Sequence, residues 1–140
     1  MKLVLLFGSL LLINSYLFAH GGNKPGPHGG QIKMPGMFHT ELILNGPNDF
    51  KVYLLDMKFK NPETKKSMVH YSIDGNRKIA CKQKNSFFIC KTKKKLEKGM
   101  TLKIYAKRLK KSGTAVYKNV MKKMPLHTKS KVKSKMHHWL

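Results

Sequence analysis

Residues 81–90 read CKQKNSFFIC, with Asn85-Ser86 midway between two cysteines. A two-residue turn at 85–86 pairs 84 with 87, 83 with 88, 82 with 89 and 81 with 90. Hydrogen-bonded and open pairs alternate outward from such a turn, so Cys81 and Cys90 form an open pair, where side chains approach closest. A disulfide fits there without large backbone movement. The alternative, a redox or metal-binding thiol pair, lacks Cys-x-x-Cys spacing. The stretch therefore reads as a cross-linked antiparallel hairpin with strands Arg77–Cys81 and Phe87–Lys91, and it sets the class as all-β.

The flanking sequence keeps that period. Upstream, Met68–Ile73 sets Val69, Tyr71 and Ile73 against His70 and Ser72, while Phe50–Met57 (FKVYLLDM) is apolar on both faces, as a central strand requires. Phe38, Leu42 and Leu44 share one face of a further strand, with His39, Glu41 and Ile43 on the other. Downstream, Leu102, Ile104 and Ala106 alternate with Lys103, Tyr105 and Lys107, and Thr114–Val120 is rich in β-branched and aromatic residues. Turn chemistry separates these runs at Asn45–Asp49, Asn61-Pro62, Asp74–Asn76, Glu97–Gly99 and Ser112-Gly113. Seven short strands over 38–121 predict a seven-stranded antiparallel sandwich of immunoglobulin-like type, with a small open β-barrel as the alternative.

Outside this domain the composition changes. Met1–Ala19 carries Lys2, an apolar run from Leu3 to Ile13 and a small residue at its close, the pattern of a secretory signal peptide. Cleavage after Ala19 predicts a periplasmic or secreted protein, and an oxidising compartment agrees with the disulfide. Residues 20–37 form a leader loop rich in Gly, His, Pro and Met. Residues 122–140, where lysines alternate with Ser and Val, are expected to be a disordered basic tail.

Cleavage would make His20 the terminal residue, so that its α-amine and ring nitrogen chelate one cation. His28 or His39 would add the nitrogen that completes a Cu(II) site, and Met34 and Met37 offer thioethers to Cu(I). Glu41 lies two residues from His39 on the same face and suits the role of fixing an imidazole tautomer. The bland alternative is a polar leader ahead of a β domain, with Met34 and Met37 packed beneath it. A processed terminal histidine resembles the histidine brace of periplasmic copper carriers and copper monooxygenases.

Pro27, His28, Gly29 and Gly30, then Phe38, His39 and Glu41, then Tyr53, Leu54 and Asp56 together resemble a wider pattern. In small exported bacterial proteins, and in the N-terminal region of periplasmic adaptor subunits of heavy-metal efflux systems, a Pro-His-Gly-Gly loop precedes a His-x-Glu strand and a Tyr-Leu-x-Asp strand. The resemblance implies an envelope β-sandwich associated with copper ion or another heavy metal, and efflux components as partners.

Charge supports a different function. The chain has 29 Lys and Arg against 6 Asp and Glu, for a net charge of +23. From Lys91 onward 17 bases face a single acid, Glu97. Such asymmetry favours a polyanion, either anionic lipid or an envelope polymer, with nucleic acid not expected outside the cytoplasm. Lys93, Lys94, Lys95, Lys107, Arg108, Lys110 and Lys111 are the candidate contacts. No nucleophile elbow, phosphate-binding glycine pattern or carboxylate pair is present, and the chain reads as non-enzymatic.

Overall fold

A computed structural model of the protein describes residues 24–118 and Val120. The expectations for the signal segment, for His20 and for the tail at 122–140 lie outside those residues. Two antiparallel sheets form an open β-sandwich, as the alternation predicts. The five-stranded sheet runs β1 (Gln31–Gly36), β2 (Phe38–Leu44), β3 (Asp49–Leu55), β7 (Phe88–Lys91) and β6 (Lys82–Gln83). The four-stranded sheet runs β5 (Ile79–Ala80), β4 (Met68–Ile73), β8 (Thr101–Arg108) and β9 (Lys111–Lys118).

Nine strands thus replace the expected seven, for two reasons, and one turn is displaced. Within the leader, Gln31–Gly36 is a strand and not loop, paired with β2 through Gln31↔Leu42 and Lys33↔Thr40. Its Pro35 sits at the sheet edge, where a missing N–H breaks no ladder. Second, 77–81 is not one hairpin strand. Ile79 and Ala80 pair with Tyr71 and His70 in one sheet, while Lys82 and Gln83 pair with Ile89 and Phe88 in the other. The displaced turn is Ser112-Gly113, which lies inside β9; the β8–β9 reversal falls at Leu109-Lys110.

The hairpin register matches the reading from Asn85-Ser86: 82 faces 89, 83 faces 88, and the Lys84 N–H donates to Phe87 O at 2.8 Å. Cys81 and Cys90 are bonded across a Cα–Cα distance of 4.5 Å. Because the chain changes sheets at Cys81, whose N–H donates to Val69 O at 2.9 Å, the disulfide pins that crossover to β7. Replacing both cysteines by alanine should lower stability by about 2.5–3 kcal/mol, the entropy of closing a loop of roughly ten residues. Urea denaturation of the oxidised and substituted proteins measures it, and a difference below about 1 kcal/mol would refute the estimate.

Inward residues of both sheets build one core. Phe38, Leu42, Phe50, Val52 and Leu54 pack from the five-stranded sheet, and Val69, Tyr71, Leu102, Ile104 and Tyr117 from the other. Polar ties cross this core where tyrosines carry a hydroxyl to the opposite sheet. Tyr117 Oη lies 2.6 Å from Thr40 Oγ1 and donates to Thr40 O at 3.1 Å. Burial pushes its phenol well above the ordinary range. Tyr71 likewise donates to Lys91 O.

Candidate functional site

Alternation along β2 sends His39 and Glu41 to the outer face of the five-stranded sheet, and the leader folds over that face. The turn closes on itself through Gly26 N–H to Gly30 O at 2.8 Å and Gly29 N–H to Gly26 O at 2.9 Å. At Gly30 the approach is so close that a Cβ would lie 2.6 Å from both Leu42 O and Ile43 Cγ1. Only glycine fits there.

Glu41 is fully buried beneath this turn. Its Oε1 accepts from His28 N at 2.8 Å and Gly30 N at 2.9 Å, and its Oε2 accepts from His28 Nδ1 at 2.7 Å. The His28 ring then stacks on Tyr53, centroids 3.8 Å apart and planes 6° from parallel. Burial and the nearby Glu41 raise the Tyr53 phenol above its ordinary value. The glycine turn brings His28 back onto β2. What it serves is a carboxylate that gathers the loop's donors, and both of its oxygens are engaged.

The other described residues of the copper set do not join this cluster. His39 Nδ1 lies 3.0 Å from Asp56 O, and its ring stacks on Phe59 at 4.0 Å. Met34 and Met37 are exposed to 58% and 62%, facing solvent and not packed under the loop. Among the described residues, no three His, Cys, Asp or Glu side chains lie close enough to hold a metal ion.

The predicted polyanion contacts divide between opposite ends of the sandwich. Lys93–Lys95 follow β7 at the end marked by Asn48, which bonds Thr92. Lys107–Lys111 lie at the other end, around the β8–β9 turn. Arg108 is not a free cation, since its Nε donates to Leu54 O at 3.3 Å and its Nη2 to Asn61 O at 2.8 Å, tying the two sheets.

Between those ends, the charged side chains set around the outer face of the four-stranded sheet by its strand pairings are lysines. Its register places His70, Tyr105 and Thr114 in one row, Met68, Lys107 and Ser112 in the next, and Ser72, Lys103 and Val116 on the other side. Lys78 lies over the Tyr105 ring, Nζ 4.0 Å from the centroid. A shallow depression of about 510 Å³ opens here, lined by His70, Lys78, Tyr105 and Lys107 among others. None of these outward positions is acidic. Lys103, Tyr105 and Lys107 were legible as outward residues from alternation alone; Lys78 was not, because only the pairing of β5 with β4 brings it there.

At the Lys107–Lys111 end, Asp56 organises the loop after β3. Its carboxylate accepts from Lys58 N and Lys60 N, each at 2.9 Å, and from Asn61 Nδ2 at 2.7 Å. The Lys60 N–H bond leads in holding its pKa below the ordinary 3.8, helped by Asn61, Lys58 and the charge of Arg108. A depressed carboxyl favours the folded loop above that ordinary value and loses this contribution as pH falls through its lower folded pKa. The Lys58 and Lys60 amides should therefore exchange faster with solvent on acidification below 3.8, beyond the intrinsic pH effect, and Asp56→Asn should remove that dependence. Amide exchange followed by NMR tests this, and a variant with the same pH profile would refute it.

No protein-family model matches the chain, and no curated protein matches it. Among solved structures, the crystal structure of a Br derivative of BhCBM56 is similar, with a TM-score of 0.42 and 12% identity over 64% of this chain and 99% of that one. A likeness at that score bears on neither ligand nor activity.

Proposed function

We propose that this is a non-enzymatic, exported interaction protein that holds acidic polymers of the cell envelope on the outer face of its four-stranded sheet. One observation carries the reading: that face presents Lys78, Lys103 and Lys107 around Tyr105 and His70, with no acidic residue among its outward positions. Lys103 and Lys107 are four residues apart on one strand, about 13 Å, a spacing that an extended polymer with repeated negative groups can match. The disulfide fits an oxidising compartment, and the Met1–Ala19 signal pattern supports export. The copper reading would rest on His20 together with residues that are already engaged, and no described geometry favours it over the basic face.

The test is retention on an immobilised polyuronate as salt is raised. Exposed charges are screened over about 8 Å at physiological ionic strength, so elution should be steeply salt-dependent. Lys78→Gln, Lys103→Gln and Lys107→Gln combined should weaken binding roughly tenfold or more. Lys93→Gln, Lys94→Gln and Lys95→Gln combined, of equal charge change at the far end, should weaken it less. Equal losses from the two triple variants, or no retention of the unaltered protein at low salt, would overturn the proposal.

A further inference from the structure

The end of the sandwich that carries the β8–β9 turn differs from the rest of the surface. Seven large apolar side chains are exposed among the described residues, and five of them belong to this end: Met37 at 62%, Met57 at 43%, Phe59 at 44%, Met68 at 48% and Leu109 at 40%. Topology gathers them. Met37 precedes β2, and Met57 follows β3, its antiparallel neighbour, in which Leu55 faces His39. Met68 opens β4 opposite Lys107, and Leu109 lies in the β8–β9 turn. Bonds from Arg108 to Leu54 O and Asn61 O, and from Leu109 N to Ser67 Oγ at 3.1 Å, hold the three segments together.

Backbone geometry adds an independent sign. Phe59 and Leu109 both have positive φ, 61° and 55°, a conformation that costs free energy in bulky residues and that Gly or Asn adopts readily. Phe59 recovers part of that cost by stacking on His39. Two loop tips at one end thus hold exposed apolar residues in strained conformations where a polar residue would be both relaxed and better solvated. Strain of this kind concentrates at sites that bind.

Charge around these tips is predominantly positive. Lys58, Lys60, Lys65 and Lys66 lie on the loop between β3 and β4, and Lys110 and Lys111 flank the turn, all exposed. The two acids of that loop are engaged by its own backbone: Asp56 holds the Lys58 and Lys60 amides, and Glu63 Oε1 accepts from Lys65 N at 2.7 Å. Apolar tips ringed by lysines fit the boundary between anionic headgroups and acyl chains, where rings and thioethers enter the apolar layer and ammonium groups stay among phosphates.

We infer that this end docks onto an anionic phospholipid bilayer, inserting Phe59 and Leu109 while the surrounding lysines bind headgroups. The inference is independent of polymer binding on the sheet face and uses other residues. It is tested with the full exported chain on vesicles of phosphatidylglycerol and phosphatidylcholine, and on phosphatidylcholine alone. Binding is expected to the anionic vesicles only, with a part that persists at high salt. Phe59→Asn with Leu109→Asn should abolish the salt-resistant part and weaken overall binding roughly tenfold or more. Asn suits positive φ, so the variant should still fold and still be retained on polyuronate; Leu109→Asn alone, which leaves the His39 stack intact, should show a smaller loss of the same kind. Unchanged vesicle binding by the double variant would overturn the inference, as would equal binding to neutral vesicles or no binding of the unaltered protein to anionic ones. A double variant that loses polymer retention as well has lost its fold, and the single variant then decides.

Discussion

Gly113→Ala should destabilise the protein by about 3 kcal/mol, at the upper end for overpacking a core position, and lower its melting temperature by roughly 12–24 °C. Gly113 faces inward from β9 opposite Ala106. A Cβ there would lie 2.2 Å from Pro35 O and 2.6 Å from Pro35 C. Backbone atoms cannot rotate aside as a side chain does, so β1 must retreat from β9 or β9 must bend. Ser112→Ala, one residue away and exposed, should change stability by less than about 0.5 kcal/mol. Thermal and urea unfolding of the two variants measure the contrast, and an alanine at 113 as stable as the unaltered protein would mean that β1 does not pack on β9 in this way.

Glu41→Ala should cost about 3 kcal/mol, because it strands the buried Gly30 amide and the part-buried His28 amide and leaves a cavity under the leader turn. His28→Ala removes a half-exposed ring but leaves both amide bonds to Glu41 in place, so its cost should be nearer 1 kcal/mol. The order of the two separates a loop organised by the carboxylate from one organised by the imidazole. Urea denaturation gives the energies, and hydrogen exchange at the Gly30 amide should accelerate far more in Glu41→Ala. Equal costs for the two substitutions would refute the assignment of Glu41 as organiser.

What was legible in the sequence follows from which forces are local. Side-chain alternation in β2, β4 and β8 and the turn at Asn85-Ser86 are set by neighbours, so the inward faces, the hairpin register and the Cys81–Cys90 bond could all be read directly. Gly113 misled because glycine marks two different needs, a turn or a close approach, and only the packing of Pro35 distinguishes them. The strand at Gln31–Gly36 was hidden for a related reason. Its Pro35 and Gly36 oppose a strand locally, and it forms because β2 offers a free edge. The same limit applies at the site. His28 and Glu41 were both singled out, but Glu41 was paired with His39, its neighbour on the strand; that it gathers His28 instead depends on the burial of Glu41, and burial is decided by chain segments far apart in sequence. For the basic residues, a count of charge along the chain identified the cationic half but could not foresee that Lys93–Lys95 and Lys107–Lys111 would end up at opposite poles, or that Arg108 would be used as a tie.

An open two-sheet sandwich has four border strands, and here β1 lies along β9 while β5 and β6 are successive parts of one chain that steps from sheet to sheet at Cys81. One lateral seam is occupied by the fit of Pro35 against Gly113; at the other, both border strands are only two residues long and the crossover between them is fastened to β7 by the disulfide. Unpaired border strands are the usual templates for intermolecular β-pairing. A protein gathered at high density on a polymer or a bilayer would meet its own copies continually, and a covered border on one side with very short border strands on the other gives little template for fibrils. Reduction of the disulfide would unfasten one seam and leave the other shut, so that any self-association in reducing conditions should begin from β5 and β6 and not from β1.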